Sequence, residues 1–163
     1  MVGGLLAFAL FLSPPQIDPA AAQSVPTQGA AMSHAIGTFD VQITPIAAEA
    51  DASAEAHGRL RIAKTFHGDI EGVGLGEMLA VRDGSSGAYV AMERVTGTID
   101  GRSGGFSLVH REIMDAGTQT LLITIVPGSG SGDLIGVSGV FHLTLADGEH
   151  RYDLEYSLPN IAP

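Results

Sequence analysis

From residue 36 to residue 158 the chain alternates apolar and polar side chains with a period of two, the pattern of strands that pack one face and wet the other. Residues 36–44 alternate through Phe39, Val41 and Ile43, residues 59–71 through Leu60, Ile62 and Phe66, and the same period runs through 87–99 and 105–114. Residues 121–126 and 139–146 are more evenly apolar, and 149–158 alternates again through Tyr152, Leu154 and Tyr156. No segment holds a helical period. The nearest candidate is the alanine-rich stretch 46–57, which lacks a large apolar stripe and reads equally as a loop.

Turn residues fall between these runs, at Asp83-Gly84, Asp100-Gly101, Ala116-Gly117, Gly128-Ser129-Gly130-Ser131-Gly132 and Asp147-Gly148. No proline interrupts residues 46–126. Proline within sheets is confined mainly to edges, so a long proline-free series of strands suits a sheet that closes on itself. The predicted fold is all-β: a small closed antiparallel β-barrel of seven or eight strands forming one domain over 36–159, with a β-sandwich as the alternative.

Hairpin parity then assigns the faces, because a one-residue slip exchanges them. With either a two-residue turn or a four-residue loop at Asp100-Gly101, Tyr89, Ala91, Glu93 and Val95 share a face with Phe106, Leu108, His110 and Glu112. This bulkier, aromatic set is the predicted interior. Glu93 and His110 stand directly opposite in the four-residue register and diagonal in the two-residue one, within reach of each other in both. Two-residue turns at Ala116-Gly117 and Asp147-Gly148 add Leu121, Ile123 and Ile125, and group Phe141, Leu143 and Leu145 with His150, Tyr152, Leu154 and Tyr156. In the N-terminal half Lys64 falls in phase with Ile62 and Phe66, so an ammonium points where the core should be, and a turn at Gly72-Val73 places Glu77 on the same face.

A carboxylate, an imidazole and an ammonium inside an apolar barrel can move protons on a bound molecule, or can simply satisfy one another. Glu93, His110 and Tyr152 are therefore the candidate catalytic residues, and Lys64, Phe66, Glu77, Tyr89, Phe106 and Tyr156 the candidate ligand-binding residues. His67, Asp69 and Glu71 are spaced by two and would project from one strand face as a metal-ligating row, but a solvated acidic face is the simpler reading, and no metal site is expected. His142 opposite Asp153 reads as a surface pair. The Gly-Ser repeat at 128–132 has neither the lysine nor the helix of a phosphate loop, nor the strand-to-helix elbow of a serine hydrolase, and is expected to be a flexible connection.

Composition narrows the function further. The 163 residues suffice for one domain with a core, and 18 acidic against 8 basic residues leave a net charge of −10, so no electropositive surface exists to follow nucleic acid or an anionic leaflet. With no cysteine, thiol nucleophiles, disulfides and iron–sulfur clusters are excluded, and no cofactor signature is present. Residues 3–12 form an apolar run of signal-peptide length, too short to span a bilayer, stopped by Pro14-Pro15 and followed by Ala20-Ala21-Ala22. The expectation is a signal peptide over 1–22, although no Lys or Arg precedes the apolar run, then a flexible segment over 23–35, and a periplasmic or secreted mature protein.

Several motifs in order resemble one family: Gly58-Arg59, Ile62, Lys64 and Phe66-His67-Gly68; Gly76-Glu77-Met78-Leu79; the run from Tyr89 to Thr98; Asp100-Gly101-Arg102-Ser103-Gly104; Val126-Pro127-Gly128-Ser129-Gly130; and the run from His150 to Tyr156. Together they are similar to a bacterial family catalogued only as a domain of unknown function, whose barrel is allene oxide cyclase-like. The resemblance spans roughly residues 37–158 and implies the closed barrel, but no agreed activity. The exported N-terminus departs from the family pattern. The expected function is to bind a small hydrophobic molecule inside the barrel and to convert it by cofactor-independent acid/base chemistry, as an isomerase, cyclase or lyase; the alternative is a non-catalytic carrier. Neither nucleic acid nor an integral membrane span is expected, and a homo-oligomer is compatible with the sequence.

Overall fold

The structure, a computed structural model, describes residues 31–47 and 57–159. The expected leader at 1–22, most of the segment 23–35 and most of the alanine-rich stretch 46–57 lie outside the described residues. Nine strands follow one another without a helix among the described residues: β1 Met32–Pro45, β2 Gly58–Gly68, β3 Ile70–Asp83, β4 Ser86–Ile99, β5 Arg102–Asp115, β6 Thr118–Ile125, β7 Ser131–Gly132, β8 Ser138–Ala146 and β9 Glu149–Ser157. All pairings are antiparallel, in the order β4-β3-β2-β1-β9-β8-β6-β5, and β4 pairs in turn with β5, which closes an eight-stranded barrel. The short β7 lies outside the barrel against Gly104 and Gly105 of β5. β1 begins at Met32, ahead of the periodic run that starts at residue 36, because its first residues pair with the end of β9.

The hairpins take the tight option. Ile99 pairs with Arg102, Asp115 with Thr118 and Ala146 with Glu149, so each turn has two central residues. Both central residues have positive φ in all three turns, at Asp100 and Gly101, Ala116 and Gly117, and Asp147 and Gly148. This is the twist-matching geometry that Asp-Gly pairs favour. The parity assignment follows: Ala91, Glu93, Val95, Phe106, Leu108, His110, Ile123 and Ile125 are all buried.

The β2–β3 connection differs from the expected one. The chain turns at Gly68 and Asp69, with Gly68 at φ 106°, and Gly72-Val73 lies inside β3, where Phe66 pairs with Gly72. A side chain at Gly68 would come within 2.7 Å of the Ile36 carbonyl, so the turn needs glycine twice over, for its φ and for its space. In this register Glu77 faces outward opposite Arg61 and bonds the Arg59 guanidinium at 3.1 Å, which removes it from the interior set. The same turn breaks the proposed row of His67, Asp69 and Glu71. His67 lies 3.0 Å from the Asp40 carboxylate, while Asp69 accepts the Ile36 backbone N–H at 2.8 Å.

One end of the barrel is filled. Ile70, Ile99, Phe106, Leu134, Val137 and Tyr156 are buried there in one core cluster. Leu134 and Val137 come from the segment between β6 and β8, whose Gly-Ser repeat at 128–132 was expected to be a flexible connection. It is tied down instead: Arg94 donates to the Ser129 carbonyl at 2.7 Å and to Ser131 Oγ at 2.6 Å, and Ser129 Oγ accepts the Ser107 N–H at 2.9 Å. At the opposite end the interior is only partly filled, and the candidate site lies there.

Candidate functional site

Three charged or polar side chains are buried among the described residues, Lys64, Glu93 and His110, and all three belong to one cluster. β2 supplies Lys64, β4 Glu93 and β5 His110, each at an inward position of its strand. The Lys64 ammonium donates to Glu93 Oε2 at 2.8 Å. His110 Nε2 lies 3.1 Å from the same oxygen, but off the line of a proper hydrogen bond. The imidazole is thus close enough to act on the carboxylate electrostatically without a satisfied bond. Glu93 Oε1 also has no partner among the described residues.

Burial by itself raises the pKa of Glu93, yet the His110 imidazole and the Lys64 ammonium outweigh it and hold the carboxyl below its usual range. Space for the carboxylate comes from β3. A Cβ at Gly74 would fall 2.0 Å from Glu93 Oε1, so the carboxylate occupies the volume that any other residue would fill. The Lys64 ammonium also lies over the ring of Phe39, 4.5 Å from its centroid, with Phe66 and Phe141 at 5.8 and 5.7 Å. Ring faces carry negative quadrupole density, so this aromatic wall supports the cation on the sides that Glu93 does not reach.

Above the cluster is a cavity of about 300 Å³, partly open to solvent. Phe39, Ile62, Met78 and Leu143 make its wall, Tyr89, Glu112 and His150 stand toward its mouth, and Lys64 and His110 contribute to its lining. Glu93 does not line it and acts from behind its two partners. Such a chamber, mostly apolar with a few convergent polar groups, is the usual form of a small-molecule site. Near the mouth, burial and the neighbouring Glu112 push the Tyr89 phenol up to about 12.

The other expected site residues divide differently. Tyr152 and Tyr156 face inward as expected, but their hydroxyls are committed elsewhere. Tyr152 accepts the Ile70 N–H at 2.8 Å and donates to the His67 carbonyl at 3.3 Å, closing the β2–β3 turn, while Tyr156 bonds Asp100 at the β4–β5 turn. Phe106 is core at the filled end, outside the lining of the cavity, and Phe66 serves the aromatic wall behind Lys64. His142 lies 3.7 Å from Glu155, and Asp153 bonds His34 at 2.8 Å, both on the outside. Gly74 and the ring set around Lys64 were not anticipated. Neither was a signal that a residue count exposes: Lys64 is the only lysine in the sequence.

Fold and site together define a closed eight-stranded barrel with a half-filled apolar interior and a buried ion cluster at the chamber floor. The chain belongs to the family described as protein of unknown function (DUF3224), which matches residues 35–156 and so includes Lys64, Glu93 and His110. A crystal structure of a protein with unknown function from the same family, from Shewanella oneidensis MR-1, is similar to this chain. The two share 36% identity and a TM-score of 0.73, over 79% of this chain and 98% of that one. Among curated proteins none matches the chain.

Proposed function

We propose that the barrel binds a small hydrophobic molecule in the chamber above Lys64 and His110 and moves a proton on it. The observation that carries this reading is the coincidence of the cavity of about 300 Å³ with the one buried charged cluster among the described residues. Glu93, fixed by Lys64, sits behind His110 and biases its protonation, while His110 faces the chamber and gives or takes the proton. Lys64 takes the role of stabilising negative charge on a ligand oxygen, since the Tyr152 hydroxyl is spent on a turn. The chemistry is that of an isomerase, cyclase or lyase, with a carrier as the second reading. Unpartnered polar atoms on Glu93 and His110 favour chemistry over mere carriage.

Ala80 lines the cavity, so Ala80→Trp should fill it and abolish saturable binding of a fluorescent apolar dye such as Nile red, with the fold retained by circular dichroism. Undiminished binding in that variant places the dye elsewhere and sinks the reading. For a ligand that displaces the dye, deuterium incorporation at carbon from D₂O should vanish in His110→Ala; binding with no incorporation in the wild type makes the protein a carrier. We also propose that the protein is exported, supported by the apolar run and the alanines before Gln23. Intact mass of periplasmic material should begin at Gln23, and a soluble cytoplasmic product that keeps Met1 would contradict this.

A further inference from the structure

Every cationic side chain in this sequence except Lys64 is an arginine, and all of those arginines are exposed. The one lysine is inside the barrel, with its side chain 6% exposed, and it helps line the chamber. Lysine and arginine are alternative choices for a surface charge. They are not alternatives for covalent chemistry, because only the lysine amine can shed a proton and present a lone pair. A charge needed only to balance Glu93 would be served by arginine's fork, which suits buried carboxylate pairs better.

We propose that Lys64 forms an imine with a small hydrophobic aldehyde held in the chamber. This rests on the reading of the chamber as a ligand site and names the ligand class. The geometry supplies each requirement. The chamber presents an apolar wall to the aldehyde's hydrocarbon part and the amine to its carbonyl end. Glu93 Oε2, 2.8 Å from the ammonium, takes the proton that frees the lone pair, and His110 at 3.1 Å from the same oxygen can receive it and return it. The lone pair forms the N–C bond while the carbonyl π pair moves to oxygen, which is protonated to a carbinolamine. The nitrogen, left as an ammonium by the attack, gives up a second proton to Glu93 Oε2, which His110 relays to the hydroxyl; the freed nitrogen pair then expels that hydroxyl as water.

The net change converts an ammonium and an aldehyde into a protonated imine and water. Nothing is oxidised or reduced, and one positive charge remains on the nitrogen. The Glu93 ion pair therefore survives the reaction, and no buried carboxylate is left uncompensated at any end state. The water leaves through the open end. The three phenylalanine rings that support the ammonium face the iminium equally well.

The sole-lysine composition makes the test direct, since the α-amine is the only other primary amine. The full chain is incubated with cinnamaldehyde and sodium cyanoborohydride and followed by intact mass and peptide mapping, with Nile red displacement measured in parallel for cinnamaldehyde and for cinnamyl alcohol. The expected result is one reduced adduct on Lys64, formed at least about tenfold faster than on the α-amine and lost when the chain is unfolded in urea. Lys64→Arg should abolish it, and Glu93→Gln should slow it severalfold. Labelling confined to the α-amine, or equal rates at both amines, while cinnamyl alcohol displaces the dye overturns the imine and leaves the chamber reading standing. Absence of both dye binding and a Lys64 adduct overturns the two together.

Discussion

Removing the charge of Glu93 strips Lys64 and His110 of their shared acceptor, and a buried ion that loses its partner is costly. Glu93→Gln should lower unfolding free energy by about 3 kcal/mol in a urea titration at neutral pH. The pH dependence has a definite sign. Because the carboxyl is held lower in the barrel than its ordinary value of 4.5, the unfolded chain takes up the proton first as the solution is acidified. The stabilisation is therefore present above 4.5 and fades as pH falls below it, through the folded value. The gap in urea midpoint between wild type and Glu93→Gln should narrow over that window; a gap independent of pH would mean that Glu93 is not charged in the native state. Glu93 and His110 were legible from hairpin parity, since the Asp100-Gly101 turn fixes which side chains point inward, and Lys64 from its phase with Ile62 and Phe66. Tyr152 and Tyr156 were legible as interior but not as idle, because the alternation gives a side chain's face and says nothing about which turn its hydroxyl will reach.

Strand β3 is the element whose pattern misleads. Val73, Leu75, Leu79 and Val81 are exposed on the outer wall, while Gly72, Gly74 and Gly76 point inward with Met78. Hydrophobic alternation read at face value turns such a strand inside out, and it is the small inward residues that admit the carboxylate of Glu93 from the neighbouring strand. The sequence signal was glycine spacing, which has no meaning until the partner strand is in register. The segment between β6 and β8 was misread for a related reason. Its Gly-Ser composition describes a flexible chain, whereas its order comes from Arg94, 35 residues away along the sequence. Arg94→Ala should therefore release this element more than the barrel: amide exchange across 128–137 should quicken by tenfold or more, with a loss of about 1 kcal/mol in global stability. Uniform acceleration across all strands would show that Arg94 holds the whole sheet instead.

At the scale of the molecule, the barrel takes in every tyrosine in the chain. The sequence has three, Tyr89, Tyr152 and Tyr156, and burial raises the pKa of each, to about 12 for Tyr89 and Tyr156. A phenol that ionises later in the folded state than in the unfolded one contributes stability below its ordinary value of 10.0 and loses it as the pH climbs toward 12. Phenolate absorbance of the native protein should lag behind that of the unfolded chain, with Tyr89 and Tyr156 silent through pH 10.0; a normal titration of either of these two would contradict the burial described. Closure itself was legible from the proline-free run of strands, because a sheet with no edges has nowhere to place a residue that cannot donate.

Leu134 and Val137 seal the far end, so the chamber is a cul-de-sac. On the proposed reading, a guest enters and leaves by the same door, with its polar end toward Lys64 and its tail past Tyr89 and His150. Such a space measures length. Each methylene that still fits inside adds about 0.8 kcal/mol of attraction, and each one beyond the threshold hangs in water and adds almost nothing. If the chamber is the ligand site proposed above, the depth of the blind end sets a ruler for its guests, and a homologous series of straight-chain compounds should climb in affinity only until the tail reaches the rim.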